Sequence, residues 1–173
     1  MKGINLEPWK VSERDFPKNG NSSEKSEFLL RYAILAPSSH NSQPWKFRVA
    51  DDTISIFADT DRWLRVADAD KRELFVSIGC ALENLLVAAE HFGFADQVEY
   101  LPEHDENLVA VVKLTDQRGP NNTRDPSLFE QISNRHTNHS MYADRQLSDE
   151  EMARFHDCIF DPGFWLFSTN EGP

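Results

Sequence analysis

Apolar residues recur at helical spacing in two stretches of this chain. Phe28, Tyr32, Leu35 and Ala36 fall at i, i+4, i+7 and i+8, with Leu29 and Ala33 beside them. They predict an amphipathic helix capped by Ser22 or Ser23, with Glu24 and Glu27 favoured in its first turn, ending at Ala36 before Pro37. Leu74, Phe75, Ile78, Leu82, Leu85, Leu86 and Ala89 form a wider apolar face between about Lys71 and Phe92, and Gly93 supplies the stop. A helix apolar on most sides belongs at the centre, against a sheet or another helix. Gly79, Ala81 and Ala88 leave room for close approach of a second helix.

Strand periodicity fills the spaces between. Trp45, Phe47 and Val49 alternate with Lys46 and Arg48, Asp51-Asp52 makes a turn, and Thr53 to Phe57 returns as the second arm of a hairpin. Val98–Leu101 and Leu108–Leu114 read as further strands, the second interior because Val109-Ala110-Val111-Val112 is continuously apolar. Residues 1–20 read as an extended arm anchored by Trp9 and Phe16, and Asp59 to Ala69 as a loop packed through Trp63 and Leu64. Asp116 to Pro126, with Gly119-Pro120-Asn121-Asn122, reads as a linker, and Ser127 to Ser133 as a short helix. Ser148 and Glu151 form a capping box opening a helix through Cys158, and a Pro-Gly turn and short apolar run follow up to Phe167. The fold class expected is α+β, with a mixed, mainly antiparallel sheet packed on the long central helix. Residues 1–118 form a first unit, and 119–173 the linker and the start of an incomplete second one.

Composition narrows the function classes. A chain of 173 residues with 39% hydrophobic and 27% charged residues is long enough for a packed core. Its net charge of −11, with no basic stripe, argues against a nucleic-acid partner. The two cysteines, Cys80 and Cys158, give no disulfide framework, and Cys80 reads as a small buried hydrophobe. The N-terminal residues lack the apolar region of a signal peptide, and no apolar run is long enough to span a bilayer. No membrane partner is therefore expected, the setting is cytoplasmic, and the sequons at Asn21, Asn121 and Asn138 carry no weight.

The chemistry concentrates between the first helix and the first strand, in Ala36-Pro37-Ser38-Ser39-His40-Asn41-Ser42-Gln43-Pro44-Trp45. Two prolines stiffen the ends, and Ser38, Ser39, Asn41 and Gln43 supply compact donors and acceptors. Such a loop suits the edge of a flat polar heterocycle; on residue types alone it equally describes an Asx/Ser turn closing a helix. The order of residues resembles the P-S-S-x-N-x-Q-P-W signature of the nitroreductase superfamily, which holds FMN. That resemblance implies that Pro37, Ser38, Ser39, Asn41 and Gln43 line the flavin ring, with Trp45 supporting the loop from behind.

A second stretch, Arg135-His136-Thr137-Asn138-His139, admits three readings. It is a solvated polar turn; or His136 and His139, with His156 and Cys158, touch a metal, although no compact third and fourth ligand are visible. Or Arg135, His136 and Thr137 match the first positions of the superfamily's arginine motif, which binds the FMN phosphate and ribityl chain. A guanidinium fork and a hydroxyl suit a phosphate. His139 stands where the family carries Arg or Lys, which weakens charge neutralisation. No metal is expected.

The arginine motif follows the loop here, whereas the family places it first. The layout is similar to the N-terminal half of the Acg-like subgroup, in which two diverged repeats are fused. The resemblance implies an FMN-dependent oxidoreductase, or a truncated one, passing electrons from NAD(P)H to a nitroaromatic or quinone acceptor, with no acid–base residue to name. A homodimer is compatible with it. The competing classes are a non-catalytic flavin-binding or flavin-storing relative, a cofactor-free relative, and a plain interaction module.

Overall fold

The computed structural model describes residues 4–103, 105–116, 124–158 and 163–168. The chain forms two compact units, Met1–Thr137 and Asn138–Pro173. In the first, helix α1 (Ser22–Ala33) and helix α2 (Arg72–His91) pack on each other and on a four-stranded sheet of β1 (Trp45–Ala50), β2 (Thr53–Ala58), β3 (Ala95–Tyr100) and β4 (Leu108–Thr115). A short helix α3 (Leu128–Asn134) lies against α2. The strand order is β1-β2-β4-β3, and every described pairing is antiparallel. The α+β class expected from the sequence is what forms, with β4 interior as its continuous apolar run required.

Register explains which residues meet the helices. Ile54 pairs with Val112 and Ile56 with Ala110, and all four are fully buried. Period-two alternation sends these positions to one face of the sheet. There they meet the stripe of Leu74, Ile78, Ala81, Leu85 and Ala88 on α2, also buried. A bulge between Ile56 and Phe57 shifts the β2–β4 register.

Several boundaries differ from the pattern-based reading, each for a local reason. Asn21, not Ser22 or Ser23, caps α1: its Oδ1 accepts from the Glu24 amide at 2.9 Å, and Glu24 Oε2 accepts from the Asn21 amide at 2.8 Å. Both ends of a capping box are thus satisfied. The helix stops at Ala33 rather than Ala36, because the Leu35 and Ala36 amides bond to the Tyr32 and Ala33 carbonyls, tightening the last turn. Leu35 and Ala36 remain buried, so the apolar stripe outlasts the helix.

The N-terminal arm is not extended. It forms 3₁₀ turns over Ile4–Lys10 and Glu13–Asp15, the second capped by the Ser12 hydroxyl. Its anchors act as expected: Trp9 and Phe16 pack against the core, and Phe16 stacks on Phe92 with centroids 4.4 Å apart. Cys80 is only partly buried, with burial pushing its thiol pKa up and Arg135 opposing that shift.

Helix α2 corrects a further expectation. By length and composition it is apolar enough to cross a bilayer, although no uninterrupted apolar run suggested this. Its buried face contacts α1 and the sheet, as the core helix of a two-layer domain does. Along its C-terminal half Arg124 reaches Glu83 and Glu90 of α2, and beyond it Asp96 of β3, at 2.9, 3.3 and 3.5 Å. Gly119-Pro120-Asn121-Asn122, the core of the expected linker, lies outside the described residues.

The second unit carries α4 (Asp149–Asp157), opened by the capping box that the sequence predicts: the Ser148 hydroxyl accepts from the Glu151 amide and Glu151 from the Ser148 amide, at 3.2 and 2.8 Å. Pro162 of the expected turn lies outside the described residues, and Phe164, Trp165 and Phe167 are exposed. Glu151 also accepts two bonds from Arg145, at 2.9 and 3.0 Å. That guanidinium, then the Ser148 amide, pulls its pKa down from 4.5 to about 2. A carboxylate depressed in the folded state stabilises it fully above its unfolded pKa and loses that contribution as pH falls. We therefore expect amide exchange in α4 to accelerate as pH falls from 4.5 towards 2, beyond the intrinsic pH dependence of exchange. Glu151→Gln should abolish that extra acceleration, and the same response in both proteins would refute the coupling.

Candidate functional site

The loop after α1 is held in a conformation that non-glycine residues adopt uncommonly, although His and Asn tolerate it better than most. Ser38 is extended, Ser39–Asn41 make a 3₁₀ turn, and His40, Asn41 and Gln43 all have positive φ, at 51°, 54° and 49°. Three non-glycine residues in the left-handed region within four positions is rare, and each costs on the order of 1 kcal/mol or more. Helices commonly close through one left-handed residue, and three within four positions go beyond that.

A dense set of hydrogen bonds offsets that cost. The Asn41 and Ser42 amides donate to the Ser38 and Ser39 carbonyls at 2.9 and 3.0 Å. The Gln43 amide donates to Ser38 Oγ at 2.9 Å, and Gln43 Nε2 to Asn41 Oδ1 at 3.2 Å. The Pro44 carbonyl accepts from the Asp59 amide, and the Gln43 carbonyl from Arg62. Asp59 is itself buried and ion-paired with Lys46 at 2.8 Å, whose hydrogen bond leads in holding its carboxyl below the usual range. Pro44 and Trp45 are buried behind the loop.

The start of α2 provides the other anchor. Ser39 Oγ donates to Glu73 Oε2 at 2.8 Å, and the Ser39 amide to Ser77 Oγ at 3.4 Å. Asp68 fixes this helix end: its Oδ1 and Oδ2 accept from the Glu73 and Leu74 amides, both at 2.9 Å. The carboxyl is buried, which alone would raise its pKa, yet these amides outweigh burial and hold it below the usual range. In the sequence Asp68 reads only as an acid preceding the helix, and neither Glu73 nor Ser77 stands out as a site residue. An acid a few residues ahead of an apolar helix is a signal for Asp68; the Ser39–Glu73 contact has none, spanning 34 residues.

The crevice between loop and helix, lined by Ser39, Ser42, Trp63, Glu73 and Ser77 among others, encloses about 10 Å3. That is the threshold for a single water. A planar ligand has no space behind the loop and must meet its outer side, where Asn41 is exposed and Pro37, Ser38, Ser39 and Gln43 are half-buried.

The second motif comes to the root of the same loop. Arg135 follows α3, and its guanidinium donates to the Leu35 carbonyl at 3.4 Å and to Thr137 Oγ1 at 3.3 Å. Its side chain thus lies where α1 ends and the loop begins, a favourable place for a cation beside helix carbonyls. Two bonds leave donors of a five-donor group available. Among the described residues no carboxylate is paired with Arg135, in contrast with Arg124.

His136 is exposed, its ring 5.1 Å from that of Trp9, and Thr137 is exposed. His139 falls in the second unit and is exposed there. His156 Nε2 lies 2.8 Å from Ser168 Oγ, and Cys158 Sγ bonds the Arg154 carbonyl. Among the described residues no three potential metal ligands cluster.

Comparison with known proteins gives relatives over part of the chain, while no family model matches. A Mycobacterium tuberculosis protein named as an NAD(P)H nitroreductase is 38% identical over 81 residues, 47% of this chain and 24% of that protein. The acg protein of the same organism, also named as an NAD(P)H nitroreductase, is 37% identical over 79 residues, 46% of this chain and 24% of that one. PigM of a Serratia species, again named as an NAD(P)H nitroreductase, is 26% identical over 149 residues, 83% of this chain and 41% of PigM. The matched part of the chain thus spans about a quarter of the length of the two mycobacterial relatives. A Bacteroides thetaiotaomicron structure described as an NADH dehydrogenase/NAD(P)H nitroreductase aligns at a TM-score of 0.46 and 19% identity, covering 63% of this chain and 84% of that one.

Proposed function

We propose that this chain, which belongs to the nitroreductase superfamily, contributes an FMN site to an NAD(P)H-dependent oxidoreductase of nitroreductase type. The observation that carries the reading is the half-buried Arg135, without a carboxylate partner among the described residues, at the root of a strained loop of hydroxyls and amides. In a chain of net charge −11 a guanidinium left open beside such a loop points to an anionic ligand with a polar ring.

The residues fit FMN on both counts. Arg135, with Thr137 and His136 beside it, would hold the phosphate and ribityl chain, while Pro37, Ser38, Ser39, Asn41 and Gln43 would orient the ring. FMN, when bound, supplies acceptance of a hydride from NAD(P)H and delivery of electrons to a nitroaromatic or quinone. The chain's own work is placement: a pre-strained loop costs no reorganisation when the ligand arrives. Residues 119–173 would begin a second repeat, and a second copy of the chain would supply the rest of the site in a homodimer. The cytoplasm, where NAD(P)H is available, is the setting that this reading implies.

The test is the visible absorbance of the purified chain, with the chromophore identified after release by denaturation. We expect bound or readily reconstituted FMN, reducible by NADH or NADPH. A colourless chain that also ignores added FMN would overturn the site, and FMN that NAD(P)H never reduces would overturn the enzyme while leaving a flavin carrier.

A further inference from the structure

We infer that Glu73 is a positioning residue that strips Ser39 of its hydrogen-bond donors, so that Ser39 offers the flavin only oxygen lone pairs and accepts from the ring's imide N–H. The inference rests on the FMN reading above and adds to it the direction of one hydrogen bond.

Ser39 has two donors, its amide and its hydroxyl. The amide is directed at Ser77 Oγ, 3.4 Å away, and Ser77 spends its own proton on the Glu73 carbonyl at 2.7 Å. The Ser39 hydroxyl lies 2.8 Å from Glu73 Oε2. Glu73 Oε1 takes Arg72 Nη1 at 3.2 Å, and a carboxylate paired with a guanidinium only accepts. The proton between Ser39 and Glu73 therefore belongs to Ser39 and points at Glu73. What remains on Ser39 is acceptor capacity alone.

The neighbouring residue has the opposite character. Ser38 Oγ accepts from the Gln43 amide at 2.9 Å, which leaves its own proton to donate. An acceptor on Ser39 selects a donor; with the ribityl hydroxyls assigned to the Arg135 and Thr137 side in the reading above, the donor left on the oxidised isoalloxazine ring is a single one, the imide at N3. Glu73 touches Ser39 rather than the ligand, so its influence runs through the position of that proton.

A methyl group at N3 removes the selected donor without altering the phosphate or the rest of the ring. The experiment compares binding of FMN and 3-methyl-FMN to the whole chain, by quenching of flavin fluorescence, in the wild type, Glu73→Ala and Ser39→Ala. Thermal midpoints of each variant confirm that the first unit is folded. We expect the wild type to prefer FMN about tenfold, as one hydrogen bond and one blocked donor imply. Ser39→Ala should bring the ratio near one, and Glu73→Ala should lower it severalfold, because the freed hydroxyl can then donate to a ring carbonyl of either ligand. Loss of mere structural support would weaken both ligands equally and leave the ratio unchanged, which would overturn the inference, as would equal binding in the wild type. Absence of FMN binding in the folded wild type is a different outcome: it would overturn the FMN reading and this inference with it.

Discussion

On the proposed FMN reading, Arg135→Ala is expected to weaken FMN binding by roughly 10- to 100-fold, the equivalent of one or two charge-assisted hydrogen bonds. The guanidinium sits at the junction of α1 and the loop, held there by the Leu35 carbonyl and Thr137, and its remaining donors are the ones that a phosphate would take. The fold should be little affected, since the two bonds that it makes within the chain are long, at 3.3 and 3.4 Å, and go to neutral acceptors. Two controls isolate the phosphate. Riboflavin, which lacks it, should bind wild type and Arg135→Ala alike, and Asn41→Ala should weaken riboflavin and FMN alike because it alters only the ring's surroundings. Titration with both ligands checks this, and undiminished FMN affinity in Arg135→Ala would remove the phosphate assignment.

Leu85→Ala destabilises the first unit by about 2–5 kcal/mol, a large fraction of the roughly 5–15 kcal/mol that a domain has in total. Leu85 is fully buried in the middle of α2, among residues facing α1 and the sheet. The substitution removes three carbons from a site hemmed in on both sides, so the cavity left behind closes only in part. Denaturant unfolding should show a lower midpoint at unchanged slope, and the thermal midpoint should fall by roughly 10 °C or more. A loss under about 1 kcal/mol would mean that α2 is not a core helix, since even smaller truncations in packed cores cost that much. The same experiment tests whether α2 belongs to a core rather than to a membrane span.

Much of the architecture was legible in the sequence because it depends on periodicity. The 3.6-residue stripes named α1 and α2, and the two-residue alternation named the β1–β2 hairpin. The continuous run at Val109–Val112 named the interior strand, and Ser148 with Glu151 marked a helix start. These signals are local: a residue's face and a cap's geometry follow from neighbours a few positions away. The cap of α1 was legible locally as well, since Asn21 stands three residues ahead of Glu24 while Ser22 and Ser23 are followed at that spacing by Lys25 and Ser26, which cannot complete a capping box. The order of residues from Pro37 to Trp45 likewise singled out the loop, and Arg135-His136-Thr137 a second candidate stretch, without help from the fold.

What only the tertiary structure decided involves groups distant in the chain. Nothing in residues 36–45 states that His40, Asn41 and Gln43 take left-handed backbone, since that strain is tolerable only when Glu73, Ser77, Asp59 and Arg62 hold the loop from outside. Nor could the sequence bring Arg135 to the Leu35 carbonyl, a separation of 100 residues, which depends on Phe129 of α3 burying itself against α2. Sequence alone thus determined most of the elements and the candidate groups that they carry. The third dimension decided which of those groups meet and which protons are already spent, because hydrogen-bond partners are assigned by distance in space and not along the chain.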